Sequence, residues 1–427
     1  MKNWLKLDNA AKIFPSVTNA KRHNLFRLSF ELTEEIDPVV LQEALDVTIK
    51  RFAYFNVKLK RGIFWYYLEE NKVKPLVYEE KPFVLEPFSQ LDNRGFLFRV
   101  LYYNKRISLE VFHVLTDGFG GSQFLKTLVY NYLLLKGKKI DSEGIILSDL
   151  ETLTAEKNDS FLENYYTEVN KNRKEVKACH IKGEIYDDDW LSVMTAKVKE
   201  EDMKRLCNKY DCSVTQLLTT IIMKVALSNK RMFDNLKRPF QVFIPADLRR
   251  HFPSKSLRNF SICIRSKISL KQDLSFEEIL KIVKSEVQEE LKKENLLTII
   301  ASNVKWEKML LLRITPLFLK EIALKIGYEN SGSAPNSFCL SNLGKIDIPS
   351  EMKQYVEKIT FANGSSSQAP INMGVTKYDN KYFLTFSSTL VDRAIQRDFF
   401  RFLSSEGVDI TLETNELEVW YEKMSKL

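Results

Sequence analysis

The sequence predicts an α/β protein of mixed sheets flanked by helices, arranged as two halves of one chain. Three observations predict it. Segments of period-two apolar alternation, several paired across short turns, recur along the 427 residues. Helical-period segments are interspersed among them rather than segregated, so layers of strands and helices must mix. A polar, weakly periodic stretch from 136 to about 185 reads as a surface crossover and divides the chain into 1–175 and 176–427.

Each element follows from its local pattern. "FRLSFEL" (26–32) alternates as a strand does. "DPVVLQEALDVTIKRF" (37–52) opens a helix, with Asp37 as N-cap and Pro38 at the first helical position. "YFNVKLK" and "GIFWYYLEE" form a hairpin, and "FLFRVLYYN" (96–104) with "RISLEVFHV" (106–114) forms another, turning near Asn104-Lys105. A helix runs through "SQFLKTLVYNYLLL" (122–135). The second half opens with a strand over 190–199. "SVTQLLTTIIMKVALSN" (213–229) is then an apolar, buried helix capped by Ser213. Segments 238–250 and 258–270 are strand-like, and Ser275 with Glu278 makes a capping box for the helix that follows. Strands over 337–344, 359–365, 371–378 and 381–390 precede a last helix, "DRAIQRDFFRFLSS".

Composition narrows the class. Apolar residues at 44% and charged residues at 28% are ordinary for a globular protein. The net charge of +8 is mild for this length, and basic residues interleave with acidic ones. The densest basic stretch, "VNKNRKEVK" (169–177), reads as a solvated helix face or linker. Nucleic acid is therefore not the expected partner, while a positive mouth for an anionic ligand fits. The five cysteines are scattered, with no CxxC pair for zinc, so no metal site is read. A reduced, cytoplasmic location is expected. The N-terminus has no apolar core of signal-peptide length, and no run approaches the span of a transmembrane helix. The most apolar region, 309–326, is broken by Arg313, Lys320, Glu321 and Lys325 and reads as an amphipathic helix, expected to pack on the core, with a membrane contact as the alternative.

"EVFHVLTDGFGG" (110–121) holds one of only four histidines. At period two, Ile107, Leu109, Val111 and His113 share a face, so His113 is the polar end of a buried row. Burial disfavours the imidazolium, so a neutral base is expected at pH 7, able to take a proton from a hydroxyl, amine or thiol. Asp117 has two readings. It orients His113, or it turns away at the bend that Gly118 invites and pairs with an arginine that fixes the turn. The bend favours the second, with Arg27 on the first strand as a candidate partner. Against both stands an ordinary core histidine followed by an ordinary Asp-Gly turn. Other chemistries find no support: there is no G-x-S-x-G, no Walker loop and no G-x-G-x-x-G. Cys179-His180 are neighbours that a strand would point apart.

"FHVLTDGFGG" resembles the H-x-x-x-D-G motif of the chloramphenicol acetyltransferase-like superfamily, which includes condensation domains and alcohol acetyltransferase-like proteins. The likeness extends along the chain. Segment 37–70 resembles the first helix and strand pair, and "CSVTQLLTTIIMKVAL" resembles the helix that opens the second half. "IPADLRRHFPSKSLRNFSICI" resembles a P-x-x-x-R followed by an N-F pair, and "LSNLG" and "LTFSSTLVD" resemble late strands. The whole looks closest to the bacterial alcohol acetyltransferase-like branch. The resemblance implies two chloramphenicol acetyltransferase-like subdomains with an active-site tunnel between them. It implies an acyl group moved from acyl-CoA, as co-substrate, to an alcohol or amine acceptor, with no permanently bound cofactor. By the same resemblance His113 is the general base and Asp117 the partner of an arginine. Gly118, Asn259, Ser341, Asn342 and Ser387 are the substrate-side residues; Asn342, Ser341 and Ser387 are candidates to stabilise the oxyanion, and Asn259 ties strands together at the tunnel. Condensation domains carry two adjacent histidines; here Phe112 takes the first place, which favours free acyl-CoA over an acyl carrier protein. The "KRH" (21–23) and "RRH" (249–251) triplets would suit the phosphates of coenzyme A, or simple solvation. A monomer suffices for such a site. The alternatives are a condensation-type enzyme fed by a carrier protein, or a non-catalytic binding member.

Overall fold

The computed structural model describes residues 4–19, 22–87, 93–147, 153–166, 176–187, 190–329 and 334–415. The basic stretch 169–177 and the division at 175/176 therefore lie largely outside the described residues.

The first half runs β1 (Trp4–Lys6), α1 (Phe14–Val17), β2 (Leu25–Leu32), α2 (Pro38–Arg51), β3 (Val57–Arg61), β4 (Tyr66–Glu70), β5 (Val77–Glu79), β6 (Phe98–Tyr103), β7 (Arg106–Phe112) and α3 (Gly118–Leu135). After α4 (Ser160–Glu163) come β8 (Ser192–Lys199), α5 (Glu200–Lys209), α6 (Val214–Ser228), β9 (Phe240–Asp247), β10 (Ser261–Ile268) and α7 (Phe276–Glu290). Then follow α8 (Lys293–Lys308), α9 (Leu310–Ile314), α10 (Leu317–Gly327), β11 (Phe338–Lys345), β12 (Val356–Asn363), β13 (Ile371–Tyr378), β14 (Lys381–Ser388), α11 (Ala394–Ser405) and β15 (Ile410–Thr414).

Local chemistry fixes many of these boundaries. The Asp37 carboxylate accepts from Val39 N and Val40 N and starts α2. Ser213–Gln216 and Ser275–Glu278 form complete capping boxes at α6 and α7. Asn104 takes a positive φ of 47° in the β6–β7 turn, a conformation that asparagine tolerates.

Three sheets result. A small one has the order β1-β4-β3, a mixed seven-stranded one β10-β9-β11-β13-β14-β8-β15, and a mixed five-stranded one β12-β2-β7-β6-β5. The five-stranded sheet packs its apolar face on α2 and α3, and the seven-stranded sheet packs on α6, α7 and α11. The two halves exchange material: β12 lies late in the chain yet completes the first sheet by pairing antiparallel with β2.

One expected element differs. Segment 309–326 is not a single core helix. Pro316 cannot donate a helical N–H and breaks the run at Thr315-Pro316 into α9 and α10. α9 buries no residue, and α10 buries only Leu317 and Lys320. Its apolar face points outward.

Candidate active site

β7 ends at Phe112, which pairs with Leu25 of β2. His113 follows as the chain turns, and its backbone N–H donates to Asn24 O at 3.0 Å. Its ring is walled by two phenylalanines. Phe14 of α1 stacks on it at 5.0 Å and 27°, and Phe26 of β2 meets it edge-on at 5.2 Å. This apolar enclosure disfavours the imidazolium and lowers the His113 pKa.

Asn259 fixes which ring nitrogen carries the proton. Its Nδ2 faces two acceptors, the His113 carbonyl at 3.0 Å and Asp8 Oδ2 at 3.2 Å. Only an amide nitrogen can donate to both, so Oδ1 is the atom facing His113 Nδ1 at 2.9 Å. That oxygen needs a donor, which places the proton on Nδ1. Nε2 is left unprotonated, with its lone pair available.

Asp117 turns away from His113 and anchors the turn. As N-cap of α3 its Oδ1 accepts from Gly120 N at 3.2 Å. Its Oδ2 accepts from Arg249 Nη1 at 2.8 Å and from Phe260 N at 2.8 Å. The partner arginine is thus Arg249, not Arg27. Arg27 lies on the opposite face of the sheet, paired with Glu80 and Glu110 and bonded to Ser108 at 2.8 Å. Period two puts its side chain on the face away from Phe26 and hence away from His113.

The loop from Leu248 to Phe260 therefore clamps the motif from the second half. Arg249 also donates to Ser256 O, to Asp247 and to the Arg258 carbonyl at 2.5 Å. Thr116 donates to Leu257 O, and Arg258 reaches Lys6 O at 2.7 Å beside Asp8. The fit demands glycine at 120, against backbone, and is close at 118, against the end of a side chain. A Cβ on Gly120 would lie 2.1 Å from Leu257 O, and one on Gly118 would lie 2.6 Å from Leu343 Cδ2. Leu343 is the extra residue of a bulge where β11 slips against β13 between Asn342 and Gly344, which aims it at the start of α3.

The remaining predicted residues divide. Asn342 sits beside that bulge; its Nδ2 donates to Thr215 Oγ1 at 3.1 Å and its Oδ1 accepts from Gly344 N. Ser341 is buried on the same strand, and its hydroxyl has no hydrogen-bond partner among the described residues. Ser387 donates its only hydroxyl proton to Asn363 O at 2.6 Å, joining β14 to β12. The basic triplets also divide. Arg249 serves Asp117, and Arg22 is buried against Val17 O and Gln368. His23 contacts Leu85 O, His251 is exposed, and Lys21 lies outside the described residues.

Sequence reasoning did not find Phe14, Phe26, Asp8 or Arg249 as parts of this site. "GFGG" carried a signal for the tight packing of α3, and "DLRRHF" held the arginine; nothing local marks Phe14 or Asp8.

Neither the protein-family models nor the curated proteins compared with the sequence gave a match. Solved structures did. The trichothecene 15-O-acetyltransferase TRI3 from Fusarium sporotrichioides aligns at a TM-score of 0.59 and 11% identity, over 94% of this chain and 94% of that one. The first condensation domain of the calcium-dependent antibiotic synthetase aligns at 0.59 and 12%, over 95% and 96%. Polyketide synthase associated protein 5 from Mycobacterium tuberculosis aligns at 0.55 and 13%, over 93% and 97%. The chain has the chloramphenicol acetyltransferase-like fold. The chloramphenicol acetyltransferase-like fold extends over nearly the whole chain, with mixed sheets flanked by helices. Among the described residues no helix is long and apolar enough to cross a membrane.

Proposed function

We propose that this protein is an acyltransferase that moves an acyl group from an acyl-CoA thioester to an alcohol or amine, with His113 as general base. The observation that carries the reading is the Asn259–His113 pair: a half-buried imidazole between two phenylalanines, kept neutral, whose Nδ1 proton is held and whose Nε2 carries the lone pair. The acceptor gives its O–H or N–H proton to Nε2 as its heteroatom attacks the thioester carbonyl. The tetrahedral intermediate collapses, the C–S bond breaks, and the departing thiolate takes the proton back from His113. No acyl-enzyme is required.

The developing oxyanion needs a donor. Ser341 is the candidate we favour of the three, because its hydroxyl has no partner among the described residues. Asn342 already donates to Thr215, and Ser387 to Asn363. Asp117 and Arg249 act on the shape of the turn rather than on the proton.

TRI101 of F. sporotrichioides, solved with coenzyme A and T-2, aligns at a TM-score of 0.56, which supports a free acyl-CoA donor. The condensation domains align as well, so the carrier-protein thioester is the second reading, with Phe112 in place of a first histidine counting against it. The test is free-thiol release from acetyl- and longer acyl-CoAs with a panel of alcohols and amines. Acceptor-dependent release that falls by about 10³-fold or more in His113→Ala, with melting temperature retained, is the expected result. Release from an acylated carrier protein but from no acyl-CoA would transfer the assignment to the second reading. Release by neither would leave a binding protein.

A further inference from the structure

The outward face of α9 and α10 is the feature the fold does not explain. Among the described residues Leu310, Leu311, Ile314, Phe318, Leu319, Ile322 and Ile326 are all exposed, with Leu310 at 71% and Ile322 at 57%. Phe318, Ile322 and Ile326 recur every four residues and form one stripe along α10. The β3–β4 turn adds Ile63, exposed at 76%, and Phe64. That turn is fixed to α10: Leu317 N donates to Ile63 O and Lys320 Nζ to Phe64 O, each at 2.8 Å. A contiguous apolar surface of this kind on a water-facing helix pair marks an interaction site.

Charge says what covers it. Arg313 of α9, Lys325 of α10 and Lys305 at the end of the preceding α8 are exposed and paired with no carboxylate among the described residues; Lys308 lies over the Tyr165 ring at 3.9 Å. Two of the carboxylates nearby are paired with cations off this face, Glu321 with Arg61 and Glu307 with Lys12, which leaves Glu329 as the exposed one beyond the end of α10. Apolar side chains accompanied by cations without carboxylate partners suit an interface of acyl chains beneath anionic headgroups, whereas a protein partner would call for a flat apolar core with few lysines.

We propose that α9, α10 and the β3–β4 turn dock this protein onto an anionic lipid surface, lying in the headgroup layer without spanning it. The inner side of α10 packs on α1, whose Phe14 stacks on His113. The docked face is thus one short helix from the candidate active site. The proposal does not depend on the acyl-transfer reading, because vesicle binding needs no turnover.

The test is co-sedimentation of the whole chain with vesicles of phosphatidylcholine alone and of phosphatidylcholine with phosphatidylglycerol. Binding to the anionic vesicles that weakens with salt is expected. Phe318→Ser with Ile322→Ser should lower the partition by about tenfold or more, and Arg313→Glu should reduce the preference for anionic vesicles by roughly fivefold or more. These side chains are exposed, so melting temperatures should hold; Ile314→Ser is the independent check if the double variant does not fold. No vesicle binding, or equal binding by folded variants, overturns the proposal. So does a dimer in sedimentation equilibrium that the same substitutions convert to monomer, because a second copy would then be the occupant.

Discussion

Asn259 decides the chemistry of His113 by holding one proton. Its amide accepts from Nδ1 while donating to the His113 carbonyl and to Asp8, so the base is presented on Nε2. Burial keeps that base neutral, because the apolar enclosure lowers the pKa. Under the acyl-transfer reading activity should rise with pH through this lowered pKa and then stay level. Asn259→Asp would set a carboxylate against Nδ1 and favour the imidazolium. The acid limb of the kcat/KM profile should therefore move up by about one to two pH units. An unmoved limb in a folded variant would show that Asn259 does not set the protonation of His113. At this scale the motif was legible and its partners were not. The spacing of His113 and Asp117 is local, so it survives in the sequence. The contact with Asn259 spans 146 positions, and Phe14 reaches the ring only because α1 folds back over β2.

Helices and strands whose signals are local were read from the chain itself. Asp37, Ser213 and Ser275 cap where their side chains say they must, and β13 spans the predicted 371–378. Elements decided by tertiary contact were not. β12 alternates like any strand, and only its register with β2 shows that it belongs to the other sheet. Arg27 was a candidate partner for Asp117 from proximity in pattern; the sheet puts it on the wrong face. The sharpest element-level joint is the start of α3, where Asp117 holds both the helix N-terminus and the second-half loop. The Asp117–Arg249 pair is buried on both sides. Asp117→Asn would leave Arg249 with only the partly exposed Asp247 carboxylate beside it and weaken the bond to Phe260 N. Breaking a buried pair costs about 3–5 kcal/mol. An unfolding free energy from chemical denaturation lowered by that amount, with His113 intact, is the expected outcome; a loss below about 1 kcal/mol would mean the loop holds its place without the pair.

At the scale of the whole molecule a polar layer of the first half faces the second, on the face of the five-stranded sheet away from α3. Arg27, Arg99 and Arg106 alternate with Glu80 and Glu110 in one buried network. It borders a cavity of about 130 Å³, lined also by Val193, Thr195 and Thr385 of the seven-stranded sheet and by Lys358 of β12. Burial alone would raise the Glu80 pKa, but the Arg27 and Arg106 guanidinium groups overcome that and hold it at about 2 against an ordinary 4.5. A carboxylate whose folded pKa is depressed adds stability that is fully present above its unfolded value and is lost as pH falls toward the folded one. The stabilisation from Glu80 should thus be complete at neutral pH and disappear between about pH 4.5 and 2. Its size, from that shift, is on the order of 3 kcal/mol. Glu80→Gln removes the titrating group and the negative charge that Arg27 and Arg106 face. Denaturant unfolding should show the variant weaker by that order at pH 7 and the two proteins converging near pH 2. Parallel stability curves across that window would mean that Glu80 does not stabilise the fold through its charge.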